Sequence, residues 1–524
     1  MTIPEAWRGP RADDTPVADA AALDDEPRRW LKVIDQTKCI GCHACTTACK
    51  SENEVPLSVT RTYVKSVDVG TFPQARRAFQ VTRCNQCEDA PCVAACPTSA
   101  MFTRPDGIVD FDKDACIGCK ACMAACPYDA IFINPQDHSA EKCNFCAHRI
   151  DAGLEPACVV VCPTQAILVG QAGDSYAASI AATEPVTVRR PEKGTRPKLF
   201  YRGATEATLD PLAARRPAGG TFAWSEIQSG PGFVVPGHPG GGNSSAAALL
   251  SYDIGHRVPW DWRVSAYTWT KGVAAGAYLV AVLAALTRQL PWSSVLTTWA
   301  APLIAAAFLA VTAGLLVWDL EHPRRFAYIL TRPQWRSWLV RGGVILTGYA
   351  AVLGINLIAG VTESAGLRQA AAVPGVPLAV LAAVYTAYLF AQAKARDLWQ
   401  NPLLPAHLLV QAGAAGAAAL LLAAAAWQPH AVTALGWVLA VTCLAHVLLV
   451  LGEVTVPHAT EHARLAVHEM VGGAFARVFW AGLLFAAAGI AAPLVGAWAA
   501  PVALLGLALH EHAYVQAGQS VPLA

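Results

Sequence analysis

Charge is scarce in this 524-residue sequence. Asp, Glu, Lys and Arg make up 15% of it against 54% hydrophobic residues, a balance that is unusual for a soluble protein and points to membrane segments. The net charge is only +1, so no polyanionic partner is implied and no nucleic acid is expected. The amino terminus lacks the apolar stretch of an export signal. Met1 to Pro27 is polar, acidic and proline-containing, and after the Arg28-Arg29 pair the run Trp30 to Thr37 leads straight into the first cysteines. Residues 1–29 therefore read as a flexible or partner-bound tail. Cysteine is nearly missing from the second half, where Cys443 stands alone in an apolar background and reads as a small buried hydrophobe. Of 17 cysteines, all but that one lie between Cys39 and Cys162. Such an uneven partition implies two physically different domains.

The cysteines fall into four groups. Cys39, Cys42, Cys45 and Cys49 are spaced C-x2-C-x2-C-x3-C, and Cys116, Cys119, Cys122 and Cys126 repeat that spacing before Pro127. Cys84, Cys87, Cys92 and Cys96 widen one gap to four residues, and Cys143, Cys146, Cys158 and Cys162 widen it to eleven. The spacing is that of bacterial ferredoxins: three thiolates on a tight loop grip three corners of a cubane, and the fourth serves a different cluster. Four sets of four cysteines supply four [4Fe-4S] clusters with none left over. Zinc ribbons also use C-x2-C pairs, but tetrahedral zinc has no need of four groups each ending in C-x3-C. Cys39-Ile40-Gly41-Cys42-His43 matches the haem-attachment pattern C-x-x-C-H, yet its continuation to Cys45 and Cys49 makes His43 a neutral neighbour instead. Gly107 to Phe111 and Ala130 to Ile133 read as small hairpin strands. With so little apolar core, this half should depend on its clusters for stability.

In their order and spacing these groups resemble the four-cluster electron-transfer subunits of molybdopterin oxidoreductases. Lys142-Cys143-Asn144-Phe145-Cys146, Pro156-Ala157-Cys158 and Cys162-Pro163-Thr164 are especially similar to that family. The resemblance covers residues 30–170 and implies an α+β ferredoxin-like double repeat. It further implies that Cys162 completes the set of Cys39, Cys42 and Cys45, and that Cys49 completes that of Cys143, Cys146 and Cys158. Cys126 would join Cys84, Cys87 and Cys92, and Cys96 would join Cys116, Cys119 and Cys122.

Residues 171–259 turn rich in Gly, Pro, Ser and Arg, with breaks at Gly219-Gly220, Gly230-Pro231-Gly232 and Pro239 to Gly242, and read as a linker. From residue 260 onward, apolar runs near the roughly 20 residues a bilayer demands recur. They are Tyr267 to Leu286, Thr297 to Trp318, Gly342 to Ala359, Val376 to Ala393, Leu404 to Trp427, Ala431 to Leu451, Val478 to Ala492 and Leu494 to Leu509. This predicts an all-α polytopic membrane bundle of about eight transmembrane helices. Gly272, Gly276, Gly413 and Gly416 sit at the one-turn spacing that permits close helix contact. Arg324, Arg325, Arg332, Arg336, Arg341, Lys394, Arg396, Arg464 and Arg477 follow the second, fourth and sixth spans, whereas only Arg288 and Arg368 lie in the opposite loops. Positive charge resists translocation, so the cysteine half is expected in the cytoplasm of a multi-pass protein of the bacterial inner membrane.

Ionisable and polar groups near membrane depth are functional candidates by default. Toward the cluster side they are Lys271, Asp319, Glu321, His322, Tyr349, Tyr385, Gln392, His407 and Glu453. A structural alternative pairs Asp319 and Glu321 with Arg324 and Arg325. Haem-ligating histidine pairs in facing spans are not evident, and Asn356, Gln411 and His446 are few for a proton path. Trp318 to Phe326, Tyr385 to Leu389, Leu398-Trp399, Pro402 to Pro405 and Ala517 to Leu523 resemble the NrfD-like membrane subunits, over residues 260–524. That family binds quinone among its first four helices with a fourth-helix tyrosine in contact, which carries over to Tyr385; Lys271 and Asp319 join it on position and chemistry. Together the resemblances imply an electron-transfer and anchor component without a catalytic site of its own. It would link a molybdopterin-containing catalytic subunit to membrane quinone as diffusible redox partner. A redox-driven proton-translocating module and a partner of a multihaem cytochrome are the alternatives.

Overall fold

A computed structural model describes residues 29–70, 73–171, 186–214 and 248–523. The tail and much of the linker lie outside the described residues. The cysteine half is a set of small sheets threaded by short helices. Strand β1 (Trp30–Asp35) is followed by α1 (Ala44–Glu52), the hairpin β2 (Thr62–Val69) and β3 (Arg76–Arg83), and α2 (Pro91–Ala95). Next come the hairpin β4 (Met101–Thr103) and β5 (Val109–Phe111), α3 (Ala121–Ala125), and the hairpin β6 (Ile131–Ile133) and β7 (Ala140–Lys142). The half closes with α4 (Ala147–Asp151), α5 (Ala157–Val160) and β8 (Ile167–Gln171), which returns antiparallel to β1. Gly107 to Phe111 and Ala130 to Ile133 thus supply β5 and β6, as their β-branched sequences predict.

The described parts of the 171–259 connector are built into this half. Strand β9 (Val186–Thr187) pairs with β10 (Leu199–Arg202), β10 runs parallel to β1, and the sheet order is β8-β1-β10-β9. After α6 (Glu206–Leu209), β11 (Leu249–Tyr252) extends the β2–β3 hairpin. The apolar Leu199-Phe200-Tyr201 segment accounts for this: Leu199 and Tyr201, one face of the strand, are buried against Ile34, Val64 and Val81.

The second half is a helical bundle. Its members are α7 (Trp262–Leu286), α8 (Ala301–Trp318), α9 (Trp338–Val361), α10 (Ala365–Ala391), α11 (Leu404–Trp427), α12 (Val432–Thr455), the short α13 (Glu461–Val471), α14 (Ala476–Ala488) and α15 (Ala499–Ser520). Among the described residues, seven segments are long and apolar enough to cross a bilayer, and the last of them, Ala476–Ser520, is 45 residues long. A straight helix of that length would reach about 67 Å, twice the roughly 30 Å hydrocarbon core. The segment folds back on itself instead, with Gly482 against His510 and Gly506 against Ala486, so α14 and α15 are antiparallel and the bundle makes eight passes. The reversal lies at Gly496, φ 63°, and the final helix runs beyond Leu509 to Ser520. That extension places His510 and Glu511 inside a helix that the apolar run alone ends too early. An even number of passes returns the polypeptide to the cysteine half, where Arg396 Nη1 donates to the Val521 carbonyl at 2.7 Å and Arg189 Nη2 to that of Leu523 at 3.2 Å.

Helices α7 and α11 cross at glycine. A Cβ on Gly276 would overlap the Ala412 carbonyl, and one on Gly416 would overlap the backbone of Gly276. Gly413 instead meets Thr442 of α12. Cys443 is fully buried, as expected of a small hydrophobe.

Candidate electron-transfer site

Each C-x-x-C turn has the same backbone device. Its third residue takes a left-handed conformation: Gly41 (φ 70°), Gln86 (φ 48°), Gly118 (φ 69°) and Phe145 (φ 66°). This turn aims the third residue's N–H back at the first thiol, as Gln86 N donates to Cys84 Sγ at 3.5 Å and Gly118 N to Cys116 Sγ at 3.4 Å. Glycine is needed at the two outer-packed turns, since a Cβ on Gly41 would overlap Phe79 and one on Gly118 would overlap Glu321.

The turns bring thiols from distant groups together. One cavity is lined by Cys39, Cys42, Cys45 and Cys162, a second by Cys84, Cys87, Cys92 and Cys126, and a third by Cys96, Cys116, Cys119 and Cys122. Cys49 lies with Cys143, Cys146 and Cys158, and Asn53 Nδ2 reaches both Cys49 Sγ and Cys146 Sγ at 3.7 Å. The four sets form a line, with Cys122 beside Cys92, Cys84 beside Cys143 and Cys158 beside Cys45. At one end Cys42 is exposed, with Ile40 59% exposed next to it. Burial pushes Cys45 up to about 11, with Cys158, Cys39 and Cys162 adding to the rise against Arg83. Burial and then Cys143 and Cys158 raise Cys49 to about 12. Cys158 is the exception: burial opposes its ionisation, but Arg83 and Lys32 outweigh it, Arg83 Nη1 lying 2.9 Å from the sulfur. Thiols crowded this way ionise together only around a cation, so the donor sets fit [4Fe-4S] clusters, with Arg83, Lys32 and Lys142 as buried counter-charges.

The far end of the line is seated on the bundle. Trp260 Nε1 donates to the Cys119 carbonyl at 3.3 Å, and Arg325 Nη1 donates to those of Lys113 and Cys116 at 2.7 and 2.9 Å. Lys120 is 3.5 Å from Asp319 and 3.1 Å from Glu321, and His322 N donates to the Ile117 carbonyl at 3.2 Å. Asp319 and Glu321 therefore pair with Lys120, and Asp319 also with Arg263 at 3.5 Å, rather than with Arg324 and Arg325. Burial lifts Asp319 to about 6 against the pull of Lys120 and Arg263. Beneath Trp260 lie Trp399, with ring centroids 5.5 Å apart, and Phe390, 4.6 Å from Trp399.

Of the proposed quinone residues, the structure brings Lys271 and Tyr385 together and leaves Asp319 at the interface. Lys271 Nζ sits 4.5 Å from the Tyr385 ring centre, donates to the Ala383 carbonyl at 3.0 Å and bonds Thr386 Oγ1. Gly342 of α9 makes room for the Tyr385 ring, which a Cβ there would overlap. Tyr267 lies within electrostatic reach of both Tyr385 and Asp319.

Dicluster models of 4Fe-4S proteins match residues 31–98 and 76–172, and the model described as polysulphide reductase, NrfD matches residues 252–510. A tetrathionate reductase subunit of Salmonella typhimurium is 40% identical over 218 residues, 39% of this sequence and 83% of its own. This protein belongs to the 4Fe-4S dicluster family, fused to an NrfD membrane domain. The electron transfer subunit PhsB of thiosulfate reductase from Salmonella typhi is 46% identical over 150 residues, 28% of this sequence and 78% of its own. Protein NrfC of Escherichia coli is 42% identical over 186 residues, covering 34% and 83% respectively. The protein is thus a multi-pass membrane protein carrying 4Fe-4S clusters, and its relatives include electron-transfer subunits of reductases.

The remaining candidates of the NrfD domain divide clearly. Tyr349 donates to the Ala274 carbonyl at 2.8 Å, Gln392 bridges Trp338 N and the Arg336 carbonyl at 2.9 Å each, and Glu453 accepts from Asn401 at 2.8 Å. A small cavity between α7, α10, α11 and α15, with room for about one water molecule, is lined by Thr268, Gln411 and Glu511, and Glu511 lies within electrostatic reach of Lys271. Glu511 is an acid inside a membrane helix, a signal missed only because the last apolar run stops at Leu509. The sequence does not single out a histidine cluster: His407 and His446 are hydrogen-bonded at 2.9 Å, too close to flank a haem, and His510 joins them. Their wide separation in sequence, on α11, α12 and α15, conceals this.

Proposed function

We propose that this protein is the electron-transfer and membrane-anchor component of a respiratory oxidoreductase, linking a separate molybdopterin-containing catalytic subunit to the quinone pool. The observation that carries it is the line of four thiol sets, exposed at Cys42 and seated at Cys116 and Cys119 on the NrfD domain. In this reading residues 30–170 form the four-cluster module, 171–259 the linker and 260–524 the membrane domain, and all 16 cysteines of the first half are ligands. Four [4Fe-4S] clusters held there supply one-electron carriers. Arg83, Lys32 and Lys142 offset the negative charge of the thiolates, and Trp260 closes the seam between the last set and the bundle.

Quinone would be bound by Tyr385 and Lys271, hydrogen-bonding groups at the cluster end of the first four passes, with Asp319 placing a proton acceptor near the interface. The basic residues of the cluster-side loops favour a cytoplasmic dicluster half in a bacterial inner membrane, although Arg325 also grips that half. The test is reoxidation by a soluble quinone of the chemically reduced protein in liposomes. Tyr385→Phe and Asp319→Asn should slow it while the cluster absorption stays unchanged, and normal rates in both variants would refute the site.

Redox-driven proton translocation is a second reading, favoured by Glu511, which lines the small cavity and lies within electrostatic reach of Lys271. Proton uptake by the same liposomes during turnover distinguishes it from simple anchoring.

A further inference from the structure

His407 on α11, His446 on α12 and His510 on α15 are 4%, 0% and 1% exposed, deep in a bundle where a polar side chain needs a partner. Their ring centroids are 5.0, 5.6 and 4.8 Å apart, and one nitrogen from each lies within 4.8 Å of the others. Within the trio, His407 Nε2 and His446 Nδ1 are hydrogen-bonded at 2.9 Å. Among the described residues, His446 Nε2 and His510 Nδ1 are buried without a partner, each at a cost in lost hydration. Three imidazoles arrive from three helices, and the unpartnered His510 Nδ1 is the nitrogen that an ion beside the His407–His446 pair would satisfy.

We propose that His407, His446 and His510 bind a transition-metal ion of the zinc type that ties α11, α12 and α15 together. Neutral imidazole is a ready ligand for such an ion, with metal–nitrogen bonds of about 2.0–2.1 Å, so tetrahedral ligand nitrogens stand about 3.3 Å apart. The His407–His446 pair needs to open by only a few tenths of an ångström, the ion replacing the proton they share, and His510 closes by side-chain rotation. Three protein ligands leave a fourth position for water or another small ligand. Glu453, within hydrogen-bonding reach of Tyr514, whose ring stacks 6.3 Å from His510, is an acid on hand to balance the charge. None of these residues belongs to the thiol sets or to the proposed quinone site, so the inference stands independently of both.

The test uses the full-length protein purified with its clusters, exchanged into metal-free buffer and exposed to zinc alone. Metal analysis should find about one zinc per protein molecule, and X-ray absorption at the zinc edge should show a sulfur-free shell of nitrogen and oxygen at about 2.0–2.1 Å. Zinc lodged in damaged cluster sites would show sulfur at about 2.3 Å, and that result overturns the proposal. So does the absence of stoichiometric zinc, which would leave the trio as a proton-sharing cluster. In His446→Gln and His510→Phe, zinc affinity should fall by at least about 10-fold, the lower bound for losing even an outer-shell partner of a zinc ligand. Unchanged iron content certifies folding in these variants, and retention of zinc by both would refute the assignment. The wild-type absorption spectrum is decisive even where a variant fails to fold.

Discussion

At the scale of the residue, His256 shows how charge is used to hold the connector to the dicluster half. Its Nδ1 lies 2.6 Å from Asp129 and its Nε2 3.2 Å from Asp253. Burial disfavours the imidazolium, but the two carboxylates outweigh it and raise His256 from 6.5 to about 9. A base whose folded pKa is raised contributes its full stability below its unfolded value and loses it as pH climbs through the folded one. Thermal stability of the detergent-solubilised protein should therefore decline from about pH 7 to 9, at roughly 2–4 °C per kcal/mol lost, and His256→Gln should flatten that decline. A wild-type profile as flat as the variant's would refute the pairing. Legibility at this scale followed locality. The cysteine groups could be read because their spacing in the sequence is itself the constraint, whereas His256 acquires Asp129, and Lys120 its two carboxylates, only through tertiary contacts.

At the scale of the element, the membrane passes were legible from apolar runs because every lipid-facing stretch must be apolar and helical. Their ends were not, since helices extend past the apolar window where partners cover polar groups. The final pass runs to Ser520 with His510, Glu511 and Gln519 buried inside it, and it is in that overrun that two of the functional candidates lay hidden. The strands of the connector were missed for a related reason: Leu199 to Arg202 is four residues in a Gly- and Pro-rich context, and only pairing with β1 makes it a strand. The small-residue spacing of Gly276 and Gly416 did translate into contact, and it yields a prediction. Gly416→Leu should disrupt the crossing of α7 and α11, costing at least about 1–3 kcal/mol as overpacking does. This would be read as a lower midpoint in thermal denaturation, whereas Gly354→Leu, with open space around it, should leave the midpoint unchanged.

At the scale of the whole molecule, the dicluster half owes little to ordinary apolar packing, because its largest buried cluster of residues consists in good part of cysteines. The purified protein should hold about 16 iron atoms, four for each of four cubanes, and a reconstituted preparation holding about twelve or fewer would contradict the ligand assignment. Removal of iron by chelator should unfold the dicluster half while the helical signal of the bundle persists, measurable together by far-ultraviolet circular dichroism. The left-handed residue at the third position of every C-x-x-C turn has a further meaning. Gly41 and Gly118 accept that conformation without strain, whereas Gln86 and Phe145 carry its cost, about 1–2 kcal/mol for a residue with a Cβ. Side chains, gap lengths and neighbouring contacts differ among the four turns, and the left-handed region of φ, 48° to 70°, does not. What the four turns hold in common is thus a handedness and not a side chain, so a substitution there is to be judged by whether it tolerates positive φ.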